Sequence, residues 1–215
     1  GFQTHDDKRG FLRASARANR RASTGRSASS HLSSPRTIVC PVGIDPGHAD
    51  LLARKGLKSA TAARIKEKLG ERKLIIGMNT TDFATSSSQA MHELERLLDN
   101  QPSLAAQISY FHLAGAKVTD DTASRRMHTA LHGKAQNIES QFSASSGSLI
   151  RIFDKPLPPS LRAAFYRLAA IGLVTPLRDG MNLSAKEFIA AQDNRHPGVL
   201  ILSRFAGAAH QLDGA

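Results

Sequence analysis

Residues 172–188 read Gly172-Leu-Val-Thr-Pro-Leu-Arg-Asp-Gly-Met-Asn-Leu-Ser-Ala-Lys-Glu-Phe188. Ile171–Val174 is a short apolar run stopped by Pro176, too short for a helix, and reads as a buried strand. Arg178-Asp179-Gly180 is a polar turn, and Asn182 is placed to cap a helix over Leu183–Gln192. A strand that runs through a glycine turn into a helix points unpaired backbone N–H groups at one spot, and that spot attracts phosphate or carboxylate. Glu187 lies one turn into the helix, where a carboxylate can accept hydrogen bonds from sugar hydroxyls. The same residues also suit an ordinary strand-to-helix loop with a solvated Arg-Asp pair, and spacing alone leaves both readings open.

Outward from this stretch the pattern repeats. Lys73–Met78, Gln107–Leu113, Leu149–Phe153 and Val199–Leu202 are further strand-like runs. Helical patterns lie between them: Thr61–Leu69 closed by Gly70, Gln89–Leu98, Asp120–Gln141, and a helix opened by Pro158-Pro159-Ser160. Thr80–Ser87 reads as a polar loop. Strands alternating with helices, each strand continuously apolar, predict an α/β fold: a Rossmann-like parallel sheet with helices on both faces. Ligands in such sheets bind at the carboxyl ends of the strands. The Thr80–Ser87 loop, the loop near Ala116 and the Arg178–Asn182 loop therefore share one rim.

Before the first strong strand lie a helix over His5–Arg20, a Ser-rich linker over Ala22–Pro35, and Thr37–Ile44, a strand-like run that Pro41 confines to an edge or bulge. The domain division is accordingly 1–36, a helix plus basic linker, and 37–215.

The 215 residues carry a net charge of +11. Eight basic residues against Asp6 and Asp7 put +6 of it in residues 1–36. Phe11 is the one aromatic among those arginines, short of the interleaved series a base-stacking platform needs, so the leader reads as a solvated basic tail and a nucleic-acid role is not expected. Cys40 is the only cysteine, which excludes an intrachain disulfide and fits a cytoplasmic setting. No stretch has the length of a membrane span. The sequence begins at Gly1 without an initiator methionine, which reads as processing or as a piece of a longer chain. The histidines show no ligand spacing with acids or Cys40, so no metal site and no cofactor are expected.

The stretch from Leu173 to Phe188, followed by Gly198-Val-Leu-Ile-Leu-Ser-Arg-Phe-Ala-Gly-Ala-Ala209, strongly resembles trehalose-6-phosphate synthases. Gly1–His5 with Phe11-Leu12 resembles the end of that family's first domain, and Cys40–Asp45 the passage into its second. The resemblance implies a retaining glycosyltransferase of the GT-B type, with this chain as its C-terminal, donor-binding half. The implied reaction moves glucose from a nucleotide-diphosphate glucose, such as UDP-glucose, to glucose 6-phosphate. By the same resemblance Asp179 contacts the glucosyl hydroxyls. Backbone N–H groups of Gly180, Met181, Asn182 and Leu183 hold sugar and diphosphate, and Glu187 accepts the ribose hydroxyls. Arg178 stays open to pairing with a neighbouring acid, and Lys186 reads as a solvated helix residue.

The departures are as telling. The family clamps the donor diphosphate with an Arg and, five residues on, a Lys; here Thr80 and Thr85 stand there. Ser86 and Ser88 replace the Gly and Pro that shape this loop, and a third family Arg falls on Val118, beside Lys117. Fixed cations at a departing diphosphate stabilise the transition state more than the ground state. Losing one such preorganised donor costs on the order of 10²–10³ in rate. Glucose 6-phosphate binding requires the first domain, most of which is absent. The expectation is thus a truncated or divergent form, inactive alone. The alternative is a non-catalytic nucleotide-sugar-binding or regulatory protein. Homo-oligomerisation stays open, and an incomplete domain would expose apolar surface.

Overall fold

The computed structural model describes residues 2–23, 36–79, 83–114, 122–142 and 149–212. The chain divides into two compact units, 1–43 and 44–215.

In the first unit, helix α1 spans His5–Ser23. Thr4 caps it reciprocally: its hydroxyl accepts from the Asp7 N–H at 3.1 Å and donates to the Asp7 carboxylate at 2.7 Å. The strand expected over Thr37–Ile44 is reduced to one bridge, Phe2 to Val39. Pro41 has no N–H to give a ladder, and Ile38 and Val42 face solvent, so nothing rewards further pairing. The linker over Ala22–Pro35 lies almost wholly outside the described residues.

The second unit runs α2 (Pro46–Leu57), α3 (Ala60–Leu69), β1 (Lys73–Asn79), α4 (Phe83–Asn100), β2 (Ile108–Ala114), α5 (Thr122–Phe142), β3 (Ile150–Phe153), α6 (Pro159–Leu168), β4 (Ala169–Val174), α7 (Leu183–Ala191) and β5 (Val199–Leu202). Asp45 caps α2 through the His48 N–H, and Ser59 caps α3 through the Ala62 N–H. The α3 helix stops at Gly70, whose φ of 53° suits a residue without Cβ.

All strand pairs are parallel, in the order β3-β2-β1-β4-β5. Side chains alternate across β1. Leu74, Ile76 and Met78 pack with α3, α6 and α7 on one face, and Ile75 packs with α4 and α5 on the other. The parallel α/β sheet with helices on both faces is therefore as read from the sequence. On the α4 side, Ile171, Leu173 and Ile201 join Leu94 and Leu97 in an open apolar groove.

One correction concerns α4, which begins at Phe83 and takes up most of the expected Thr80–Ser87 loop. Ser87 is fully buried and falls in phase with Met91, Leu94 and Leu98, so it belongs to the buried stripe of the helix, while Ser88 faces solvent. Tertiary burial here overrides a composition that favours loops.

Because the chain runs β1-β2-β3 in one direction and β4-β5 in the other, the order reverses between β1 and β4. The crevice outside the carboxyl ends at such a reversal is where doubly wound sheets bind ligands. The loop of residues 175–182 after β4 flanks it; residues 80–82, which follow β1, lie outside the described residues.

Candidate functional site: the loop after β4

The loop is pinned from three directions. Asn182, buried and at φ 65°, accepts the Ala185 N–H at 3.1 Å through Oδ1 and donates through Nδ2 to Asp179 Oδ2 at 2.7 Å. Asparagine is among the few residues that tolerate this left-handed backbone, and its amide caps α7 while holding the acid. Met181 is sunk into the core with Phe188 and Ala185. The segment after β5 closes on the loop through an Asp179–Ala206 bridge and the Ala208 N–H to Met181 carbonyl bond of 2.7 Å.

Gly207 makes that closure possible. A Cβ on it would sit 1.9 Å from the Gly180 carbonyl oxygen, a backbone atom that cannot swing away. Gly207→Ala is therefore expected to displace residues 179–181 and to cost about 1–3 kcal/mol, as overpacking does. Urea denaturation measures the loss, and an unchanged midpoint would refute the close approach.

Among the described residues, no protein acceptor is found for the backbone N–H groups of Gly180, Met181, Asn182 and Leu183. They open the first turn of α7, where the helix dipole favours negative charge. Asp179 is half-buried, with Oδ1 not engaged by Asn182. Arg178 is exposed and makes no ion pair among the described residues. Lys186, read as a solvated residue, is half-buried instead, and burial holds its ammonium below the usual lysine range.

Glu187 has a partner the sequence did not suggest. Arg162 on α6 reaches its carboxylate at 3.2 and 3.4 Å. Both side chains are about one-third exposed, so the pair adds little to stability but orients the acid. Nothing local marks Arg162; it meets Glu187 only because α6 and α7 pack side by side.

The site thus brings together Asp179, Gly180, Met181, Asn182, Leu183 and Glu187 within one strand-loop-helix. Thr80 lies outside the described residues, as do Lys117 and Val118, and the side chains of Thr85 and Ser86 are likewise not described. The expected absence of histidine–acid clusters is not met: His128 and His132 both converge on Asp154.

The model of glycosyltransferase family 20 matches residues 1–215. The chain belongs to that family. A trehalose-6-phosphate synthase from Salmonella paratyphi B is 34% identical over 218 residues, covering 100% of this chain and 46% of that protein. An α,α-trehalose-phosphate synthase (UDP-forming) from Burkholderia vietnamiensis superposes with a TM-score of 0.87 at 32% identity, covering 100% of this chain and 47% of that one. An E. coli structure bound with UDP-2-fluoro glucose gives 0.84 at 31% identity, covering 100% and 48%. The chain spans about half the length of these relatives, and its sheet is accordingly a GT-B half. Among the described residues no helix is long and apolar enough to cross a membrane.

Proposed function

We propose that the loop after β4 and the first turn of α7 bind a nucleotide-diphosphate glucose, with UDP-glucose the first to test, as the donor of a trehalose-6-phosphate synthase reaction. The observation that carries this is the run of N–H groups from Gly180 to Leu183 with no protein acceptor among the described residues, flanked by Asp179 and Glu187, at the reversal of the sheet. In this reading Asp179 accepts glucosyl hydroxyls through the oxygen Asn182 leaves open. The four N–H groups take sugar and diphosphate oxygens, and Glu187, steadied by Arg162, takes the ribose hydroxyls.

The family reaction transfers glucose to glucose 6-phosphate with retention, in trehalose biosynthesis. Where the resemblance puts the family's charged clamp on the diphosphate, positions 80 and 85 are threonines, which carry no charge. A hydroxyl still donates a hydrogen bond, but a charged donor is worth about 1.5–3 kcal/mol where it is needed. We therefore infer that the 215 residues bind donor without completing the transfer. The same threonines favour a second reading, in which donor binding serves a regulatory role.

Calorimetry with UDP-glucose tests the reading. Asp179→Ala removes hydrogen bonds to an ionised acceptor, so affinity is expected to fall between about tenfold and a hundredfold. No heat with the unaltered chain, or equal affinity in the variant, would overturn donor binding at this loop. Formation of trehalose 6-phosphate from UDP-glucose and glucose 6-phosphate would overturn the inference of inactivity.

A further inference from the structure

Among the described residues, one cluster of side chains away from the loop after β4 has the composition of a metal site. His128 and His132 stand one turn apart on α5, so their rings project from the same face. Asp154 follows the last residue of β3, at the carboxyl rim of the sheet. His128 Nε2 lies 2.8 Å from Asp154 Oδ1, and His132 Nε2 lies 2.9 Å from the same oxygen. The three candidate ligand atoms all lie within 4.8 Å of one another.

We propose that His128 Nε2, His132 Nε2 and Asp154 Oδ1 bind a first-row divalent cation of the Zn²⁺ type, fastening α5 to the end of the edge strand β3. Two imidazoles and a carboxylate form a borderline donor set, which suits Zn²⁺; Mg²⁺ and Ca²⁺ take mainly oxygen. Tetrahedral Zn²⁺ with bonds of about 2.0 Å holds its ligand atoms about 3.3 Å apart. Each imidazole would withdraw from the carboxylate oxygen by about 0.4 Å, and the two ring nitrogens, within 4.8 Å of each other, would settle to the same spacing by side-chain adjustment as the metal replaces the Nε2 protons. His128, His132 and Asp154 are 27%, 36% and 41% exposed, so a cation can enter and a water can fill the fourth position.

The competing arrangement is a carboxylate that accepts two imidazole N–H bonds and holds no ion. Cobalt separates the two. Chelator-treated protein titrated with Co²⁺ is expected to bind one ion per chain with the intense visible bands of four-coordinate cobalt, displaced by one equivalent of Zn²⁺. His132→Ala and Asp154→Asn are expected to weaken uptake more than about 100-fold, since even outer-shell partners of metal ligands are worth 10–100-fold. Cys40→Ser and His92→Ala should leave it unchanged. No uptake at micromolar Co²⁺, the weak bands of six-coordinate cobalt, or uptake that persists in the His132 and Asp154 variants would overturn the proposal. Circular dichroism confirms that the variants are folded. Should they unfold, the wild-type spectrum and stoichiometry, with loss on Cys40→Ser counting against the site, decide the matter.

Discussion

Replacing Phe188 by alanine is expected to destabilise the 44–215 unit by about 3–5 kcal/mol, the range for deleting a buried aromatic side chain. Its ring is fully enclosed and packs edge-on against Tyr166, centroids 6.1 Å apart. Beneath it lies Gly172 of β4, where a Cβ would come 2.8 Å from two ring atoms. Glycine at 172 is thus the hollow into which the aromatic settles. The cavity left by alanine lies between α7 and the sheet, and most domains have only about 5–15 kcal/mol in hand. Urea denaturation should show a lower midpoint at unchanged slope. A loss under about 1 kcal/mol would mean that α7 does not rest on β4 in this way. Gly172→Ala tests the pair from the other side. Its cost should shrink in the Phe188→Ala background, because neighbours in contact couple by about 0.5–3 kcal/mol. Since Phe188 directly follows Glu187, this packing also sets where α7 presents its acid.

Acidification from about pH 7 to about pH 4 is expected to remove about 3 kcal/mol of stability through His112 alone. The ring is completely enclosed on β2, with Nε2 3.0 Å from the Ser87 hydroxyl and Nδ1 3.3 Å from the Tyr110 hydroxyl. A neutral imidazole satisfies both, because each hydroxyl can donate or accept. Burial disfavours the charged ring and brings its pKa from 6.5 down to about 4, against a small upward pull from Asp154 and a downward push from His132. In the unfolded chain the ring protonates below 6.5, while in the fold it stays neutral until about 4. Protons therefore favour unfolding throughout that window, and the loss levels off below it. Asp154, held below its ordinary 3.8, adds its own loss only lower still. Urea denaturation across the window should show the slope in the wild type and a flatter one in His112→Asn. Equal slopes would place the acid sensitivity elsewhere.

How much of this was legible beforehand depends on the range of the interaction. The apolar runs at Lys73–Met78 and Gln107–Leu113 identified buried strands because a strand covered on both faces has no polar side to show. Asn182 was recognisable as a cap, since a cap acts three residues ahead. The parallel α/β sheet and the strand-loop-helix that carries Asp179 and Glu187 followed from such local chemistry.

The sequence by itself therefore determined the class of fold and the strand-loop-helix after β4, because periodicity, capping and turn residues act within a few positions. Only the tertiary structure decided what meets that loop and what lies elsewhere around the sheet. Arg162 reaches Glu187 across 25 residues, Gly207 sits beneath Gly180, and Asp154 joins His132 across 22 residues. Residues 37–44 lost their strand and residues 83–87 gained a helix for the same reason. Which backbone groups find partners, and which side chains are covered, depends on strand order and helix packing, and these bring together residues that no local pattern connects.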